Sequence, residues 1–194
     1  MIHVSGQSVR CVALLVVLVG MGAGILLVAS RSRKTPFPEA PRSQLTVRDG
    51  HWYRWGEATP FTGVIVDTYE SGALKSRVTV SNGLLEGLSE GWFTNGQCQI
   101  QETFRAGVSH GLRTKWHANG RKMSEAPVVD GKLEGKFHRW GEDGSLSEEV
   151  EMKGGAADGI SRAYHPDGSL RAQARLENGR VLEQKFWPPG ERMP

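Results

Sequence analysis

The chain of 194 residues predicts an all-β fold: an antiparallel meander of 24-residue β-hairpin repeats in an elongated, curved single-layer sheet, preceded by one N-terminal transmembrane helix. Three observations predict it. A glycine recurs every 24 residues, at Gly63, Gly87, Gly111, Gly135 and Gly159, with no insertion between units; a fixed period of this size marks a stacked array. Within each unit the side chains alternate, which is the periodicity of strands with one buried face. The segment from Cys11 to Ala29, CVALLVVLVGMGAGILLVA, has no charge over 19 residues, close to the roughly 20 that span a bilayer.

In chain order, residues 1–34 form the anchor with its basic flanks, Arg10 before the apolar run and Arg31, Arg33 and Lys34 after it. The expectation is a single-pass membrane protein with the side of the array undecided. Cleavage of the segment as a secretion signal, leaving a secreted or periplasmic array, is the alternative. Gly20 and Gly24 form a GxxxG pair through which two such helices could dimerise. Residues 35–44, TPFPEAPRSQ, are expected as an extended proline-rich spacer. The array is expected over residues 45–187 and a tail over 188–194. Its first hairpin, 45–62, turns at Asp49 and Gly50, carries Trp52, Tyr53 and Trp55, and caps the first repeat. The frame is expected to fail at Glu183, which stands where a sixth opening glycine would fall.

Each unit is numbered here from its opening glycine as position 0. Position 9 is glycine in all five units (Gly72, Gly96, Gly120, Gly144, Gly168), preceded by Ser, Asn or Asp. A three-residue loop over positions 7–9 ends on a residue that needs φ > 0, which these glycines supply. That loop sets position 5 opposite position 11, pairing Trp92 with Cys98, Trp116 with Lys122, Trp140 with Leu146 and Tyr164 with Leu170. Position 5 of the first unit is Thr68, with Tyr69 beside it. The odd positions of both strands, mainly apolar, are expected to share one buried face. Lys122 is expected to lay its stem along Trp116.

Composition excludes several functions. The formal charge is +3, but Arg10, Arg31, Arg33 and Lys34 precede the array, leaving 24 − 4 = 20 basic against 21 acidic residues. Nucleic acid, which needs a concentrated basic face, is not an expected partner, and near-neutrality disfavours lipid contact by the array. Cys11 lies in the apolar run, so pairing with Cys98 is not expected, and Cys98 reads as a small core residue. Gly107-Val108-Ser109-His110-Gly111 matches the GxSxG of serine hydrolases, but its glycines belong to the repeat frame and no strand-to-helix elbow is available. His117 and His165 are expected as solvated surface residues, too far apart to share a metal. No catalytic residue, cofactor or metal site is expected. One enzymatic alternative is carried forward: Glu90 and Glu102, at two odd positions of one hairpin, would be diagonal neighbours able to act as a glycosidase acid and base.

The pattern G-x4-[WY]-x2-[ND]-G with closing glycines, and the Pro60–Gly63 segment PFTG, resemble the MORN repeat in its bacterial variant form over residues 45–187. The resemblance implies a scaffold, a membrane-contact module or an appendage of an enzyme, and for bacterial variants an antitoxin-like or immunity-like protein that neutralises a toxin. The expected function is a membrane-tethered repeat protein that binds a protein partner through Trp92, Trp116, Trp140, Tyr164 and Lys122.

Overall fold

The computed structural model describes residues 37–190. The expected membrane span, Cys11 to Ala29, and its Gly20 and Gly24 lie outside the described residues, among which no helix is long and apolar enough to cross a membrane. The described residues are all-β apart from one short 3-10 turn, Arg42–Gln44. Strands β1 (Glu39–Pro41), β2 (Leu45–Arg48) and β3 (His51–Arg54) precede the repeats. The array continues through β4 (Gly63–Thr68), β5 (Leu74–Ser81), β6 (Leu84–Trp92), β7 (Cys98–Arg105), β8 (Val108–Ser109), β9 (Gly111–Trp116) and β10 (Lys122–Val129). It ends with β11 (Lys132–Leu133), β12 (Gly135–Trp140), β13 (Leu146–Lys153), β14 (Ala156–Tyr164), β15 (Leu170–Glu177) and β16 (Arg180–Phe186). From β4 onward the main path of the large sheet follows chain order with antiparallel pairing, while β2 and β3 form a separate two-stranded sheet.

Two turn types build the meander. Within a unit, Gly96 N–H bonds to Phe93 O at 2.9 Å and Phe93 N–H to Gln97 O at 2.8 Å. This is the predicted three-residue loop, and its glycines all have positive φ, from +81° to +86°. Between units the chain reverses in two residues, Asn82-Gly83, Ala106-Gly107, Asp130-Gly131, Gly154-Gly155 and Asn178-Gly179, each with positive φ at both. That is the type I′ hairpin, whose twist matches that of the strands it joins.

The predicted opposition of positions 5 and 11 is found in every unit, but the shared odd-numbered face is not. The pairing slips by one residue immediately after it: Trp92 faces Cys98 while Gly91 faces Ile100, so Gln99 is a bulge. The same slip occurs between Asp67 and Thr68, Lys122 and Ser124, Arg139 and Trp140, and Ala163 and Tyr164. One extra residue inverts the parity of the second strand. One face of the sheet therefore carries positions 1, 3, 5, 11, 14 and 16, and the other carries positions 0, 2, 4, 13, 15 and 17.

The second face is closed at its N-terminal end. Ile65 and Val80 bury against Ala40, Leu45 and Phe61, with Trp52, Val78 and Leu85 packed on them. The β2–β3 hairpin turns at Asp49-Gly50 as expected and is fixed over the first inter-unit turn, with Trp52 N–H on Gly83 O and Gly83 N–H on Phe61 O, both 2.8 Å. Part of the expected spacer is not a spacer: Glu39–Pro41 pairs in parallel with Val64–Val66, and Ala40 is fully buried. Cys98 is disulfide-bonded, against expectation.

At the C-terminal end the frame does not fail at Glu183 but slips. At an internal junction Val78 faces Ser89 and Val80 faces Leu85, whereas at the last one Ala174 faces Gln184 and Leu176 faces Val181. The sixth unit is one residue shorter there, which brings Trp187 to the place of position 5.

Candidate functional site

Position 5 forms an aromatic ladder on one face, running Trp92, Trp116, Trp140, Tyr164 and, through the one-residue slip, Trp187. Trp92 is buried, only 2% exposed, and serves as core. Trp116, Trp140, Tyr164 and Trp187 are half-buried. Periodicity read from the opening glycines could not reach Trp187; the signal for it was the spacing of 23 from Tyr164, one short of the frame.

Side chains at position 6 stitch neighbouring units together. The Tyr69 hydroxyl donates to Trp92 O at 2.7 Å, His117 Nε2 to Trp140 O at 3.0 Å, and His165 Nε2 to Trp187 O at 3.0 Å. His117 and His165 are thus part-buried connectors and not the solvated residues expected. In the loops, Asn95 Nδ2 donates to Ala118 O and Asn119 Nδ2 to Glu142 O, both at 2.8 Å. Units four and five place aspartate there instead, and Asp143 and Asp167 accept from the hydroxyl and backbone N–H of Ser145 and Ser169. Those serine hydroxyl bonds, followed by the backbone ones, hold both carboxyls below the ordinary aspartate range.

Beside the ladder runs a row of polar pairs between positions 3 and 14. Gln101 Nε2 donates to Glu90 Oε1 at 3.2 Å, and the Thr114 hydroxyl to Glu125 Oε2 at 3.4 Å. Glu149 takes Arg162 Nη1 at 3.2 Å and lies 3.5 Å from His138 Nε2. Lys122 does not lie on Trp116. Its Nζ is 2.7 Å from Glu125 Oε2 and 5.2 Å from the Trp140 ring centroid, and the His138 ring stacks on that same Trp140 at 5.7 Å. Most charges on this face therefore have internal partners.

Among the described residues, shallow hollows open beside Trp140, Tyr164 and Trp187, each with a cationic side chain in its lining. One of about 430 Å³ is lined by Arg121, Lys122, Trp140 and Gly144. One of about 280 Å³ includes Asp143, Tyr164, His165 and Arg171. The third, of about 470 Å³, includes Gln173, Arg175, Glu183, Lys185 and Trp187.

Glu90 and Glu102 are both buried, but the bulge places them on opposite faces: Glu90 pairs with Gln101 and Glu102 with Ser89. They cannot flank one glycosidic bond, which removes the acid–base pair considered from the sequence. Glu102 instead accepts from the Ser109 hydroxyl and from Arg113 Nη2, and from Arg113 Nε at 2.7 Å. Ser109, the central residue of the hydrolase-like motif, is thereby committed to a buried carboxylate on a strand.

No protein-family model matches the chain, and no curated protein does. Among solved structures, two of TarM are similar to part of it, one of them an S. aureus TarM mutant in complex with Fondaparinux, alpha-GlcNAc-glycerol and UDP. Identities are 13% and 14% with a TM-score of 0.33 for both, over 49% and 50% of this chain. The matched region spans 19% of each TarM chain. A likeness at that level says nothing about activity here.

Proposed function

We propose that the protein is a non-enzymatic, MORN-like repeat protein, tethered to a membrane through residues 11–29, whose aromatic ladder binds a protein partner. The observation that carries this reading is the repetition of one chemistry along one face. Trp140, Tyr164 and Trp187 each border a hollow with at least one cationic side chain, one unit apart. Two strands per unit give a spacing of about 10 Å. Half-buried aromatics beside exposed cations are the composition of interaction surfaces, and a partner segment with apolar and acidic side chains at that spacing matches the series. Trp92 is buried and offers little surface, so binding centres on the C-terminal half of the array.

The test places a photo-crosslinking amino acid in the full chain at Trp140 or Tyr164 and, as controls, at Phe137 and Met152 on the opposite face. Adducts of one discrete mass from the ladder positions alone support the reading. Equal labelling from both faces, or labelling only from the controls, refutes it.

A further inference from the structure

The end strands of the large sheet are β1 and β16, and they differ in kind. At the first end β1 is three residues long, pairs in parallel and closes on Pro41, which has no N–H to offer. At the other end all seven residues of β16 are exposed, including Leu182 at 52% and Phe186 at 67%. Trp187 N–H bonds to Arg171 O at 2.9 Å. By the alternation of an antiparallel ladder, Lys185 and Glu183 then bond toward β15, while the N–H and C=O of Gln184 and Phe186 point outward. In the five preceding units the equivalent residues bond to the second strand of their own hairpin. Among the described residues the sixth unit has no such strand.

We propose that this edge pairs antiparallel with the same edge of a second copy of the chain, about a two-fold axis at Gln184. The charges select the occupant and the register. Because outward groups fall on alternate residues, only registers centred on a residue satisfy them. Centring on Glu183 sets glutamate against glutamate, and centring on Lys185 sets lysine against lysine. Centring on Gln184 sets Glu183 against Lys185 twice, Leu182 against Phe186 twice, and Val181 against Trp187 twice. Neither Glu183 nor Lys185 has an ion pair among the described residues. Glu183, Lys185 and Trp187 also line the third hollow, so this pairing would close the C-terminal end of the aromatic face. The experiment reads association of the chain with itself and not the occupant of the rest of that face.

The experiment measures the mass of the full chain in detergent solution by sedimentation. A dimer is expected, and Gln184→Pro should convert it to monomer with unchanged circular dichroism, since the N–H it removes is not bonded to β15. Glu183→Lys or Lys185→Glu alone should weaken association by about tenfold or more, and the double reversal should restore it. Gln184→Cys should form a disulfide-linked dimer on mild oxidation. Three outcomes overturn the proposal: a monomeric wild type, as when the strand of a different protein fills the edge; a dimer that survives Gln184→Pro, as one held by residues 11–29 would; or a double reversal that fails to restore pairing.

Discussion

Replacing Arg113 by methionine isolates the electrostatics of the buried cluster, because methionine keeps most of the stem and removes only the guanidinium. The Glu102 side chain is 12% exposed and that of Arg113 31%. Without Arg113, Glu102 retains the Ser109 hydroxyl as its side-chain donor among the described residues. Stranding one member of a fully buried pair costs about 3–5 kcal/mol. Here a third of the arginine is already wet, so water can enter where it stood, and about 2 kcal/mol is the expected loss. For a cooperative unit of this size that lowers Tm by about 4–8 °C. Glu102→Met should cost less, about 1 kcal/mol, since the orphaned arginine can swing into solvent. The double variant should return to within about 1 kcal/mol of wild type, because a pair of apolar side chains needs no partner. Urea unfolding followed by tryptophan fluorescence on all four proteins gives the coupling directly. Arg113→Met within about 0.5 kcal/mol of wild type, or a double variant as unstable as the two singles summed, would refute the assignment of Glu102 as a desolvated carboxylate.

Three further outcomes are expected. Ala106 holds φ of +47° in a two-residue turn where other units use Asn, Asp or Gly; Ala106→Asn should raise stability by about 0.5–1 kcal/mol, visible as a higher Tm. His117→Ala removes the stitch to Trp140 O and should lower stability by about 1 kcal/mol, with Trp140 emission shifting to the red as its strand end loosens. Asp143 and Asp167 have depressed carboxyls, so the stabilisation they give is present above the unfolded aspartate value of about 3.9 and is lost as pH falls through their lower folded values. Asp143→Asn with Asp167→Asn should therefore flatten the acid limb of the stability curve below about pH 4, and an unchanged limb would show that the serine bonds do not bias ionisation.

Much of the array was legible because its constraints are local. Gly72, Gly96, Gly120, Gly144 and Gly168 report a backbone that other residues resist, and loop length then fixes which side chains stand opposite one another. What the sequence concealed is the bulge. Residues at that position, Lys75, Gln99, Met123, Ser147 and Arg171, share no chemistry, because an unpaired residue on a strand is constrained by neither face. Missing it left the first strand correct and inverted the second. That single inversion accounts for the error over Glu90 and Glu102, and for reading Val80, Phe104 and Val128 as companions of the tryptophans when they line the other side. The stitches of His117 and His165 were equally hidden, since their acceptors are carbonyls 23 and 22 residues away that no side-chain pattern records.

The bulge also explains how a sheet can keep one aromatic face half-open without losing its own cohesion. Had parity been preserved, the aromatics of position 5 and the aliphatics of positions 15 and 17 would lie together and compete for one core. Inversion separates them. Val80, Ala126, Val128 and Val150 are buried on one side, while Trp116, Trp140 and Tyr164 remain half-open on the other. The polar row at positions 3 and 14 is the counterpart of that separation, because an open face tolerates charges only where they are paired or wet. Deleting the bulge residue of one unit, Ser147 for instance, should therefore damage the array more than the loss of one small, half-buried side chain suggests. It would turn Glu148, Val150 and Met152 onto the ladder side and leave the buried side of that unit without its aliphatic partners.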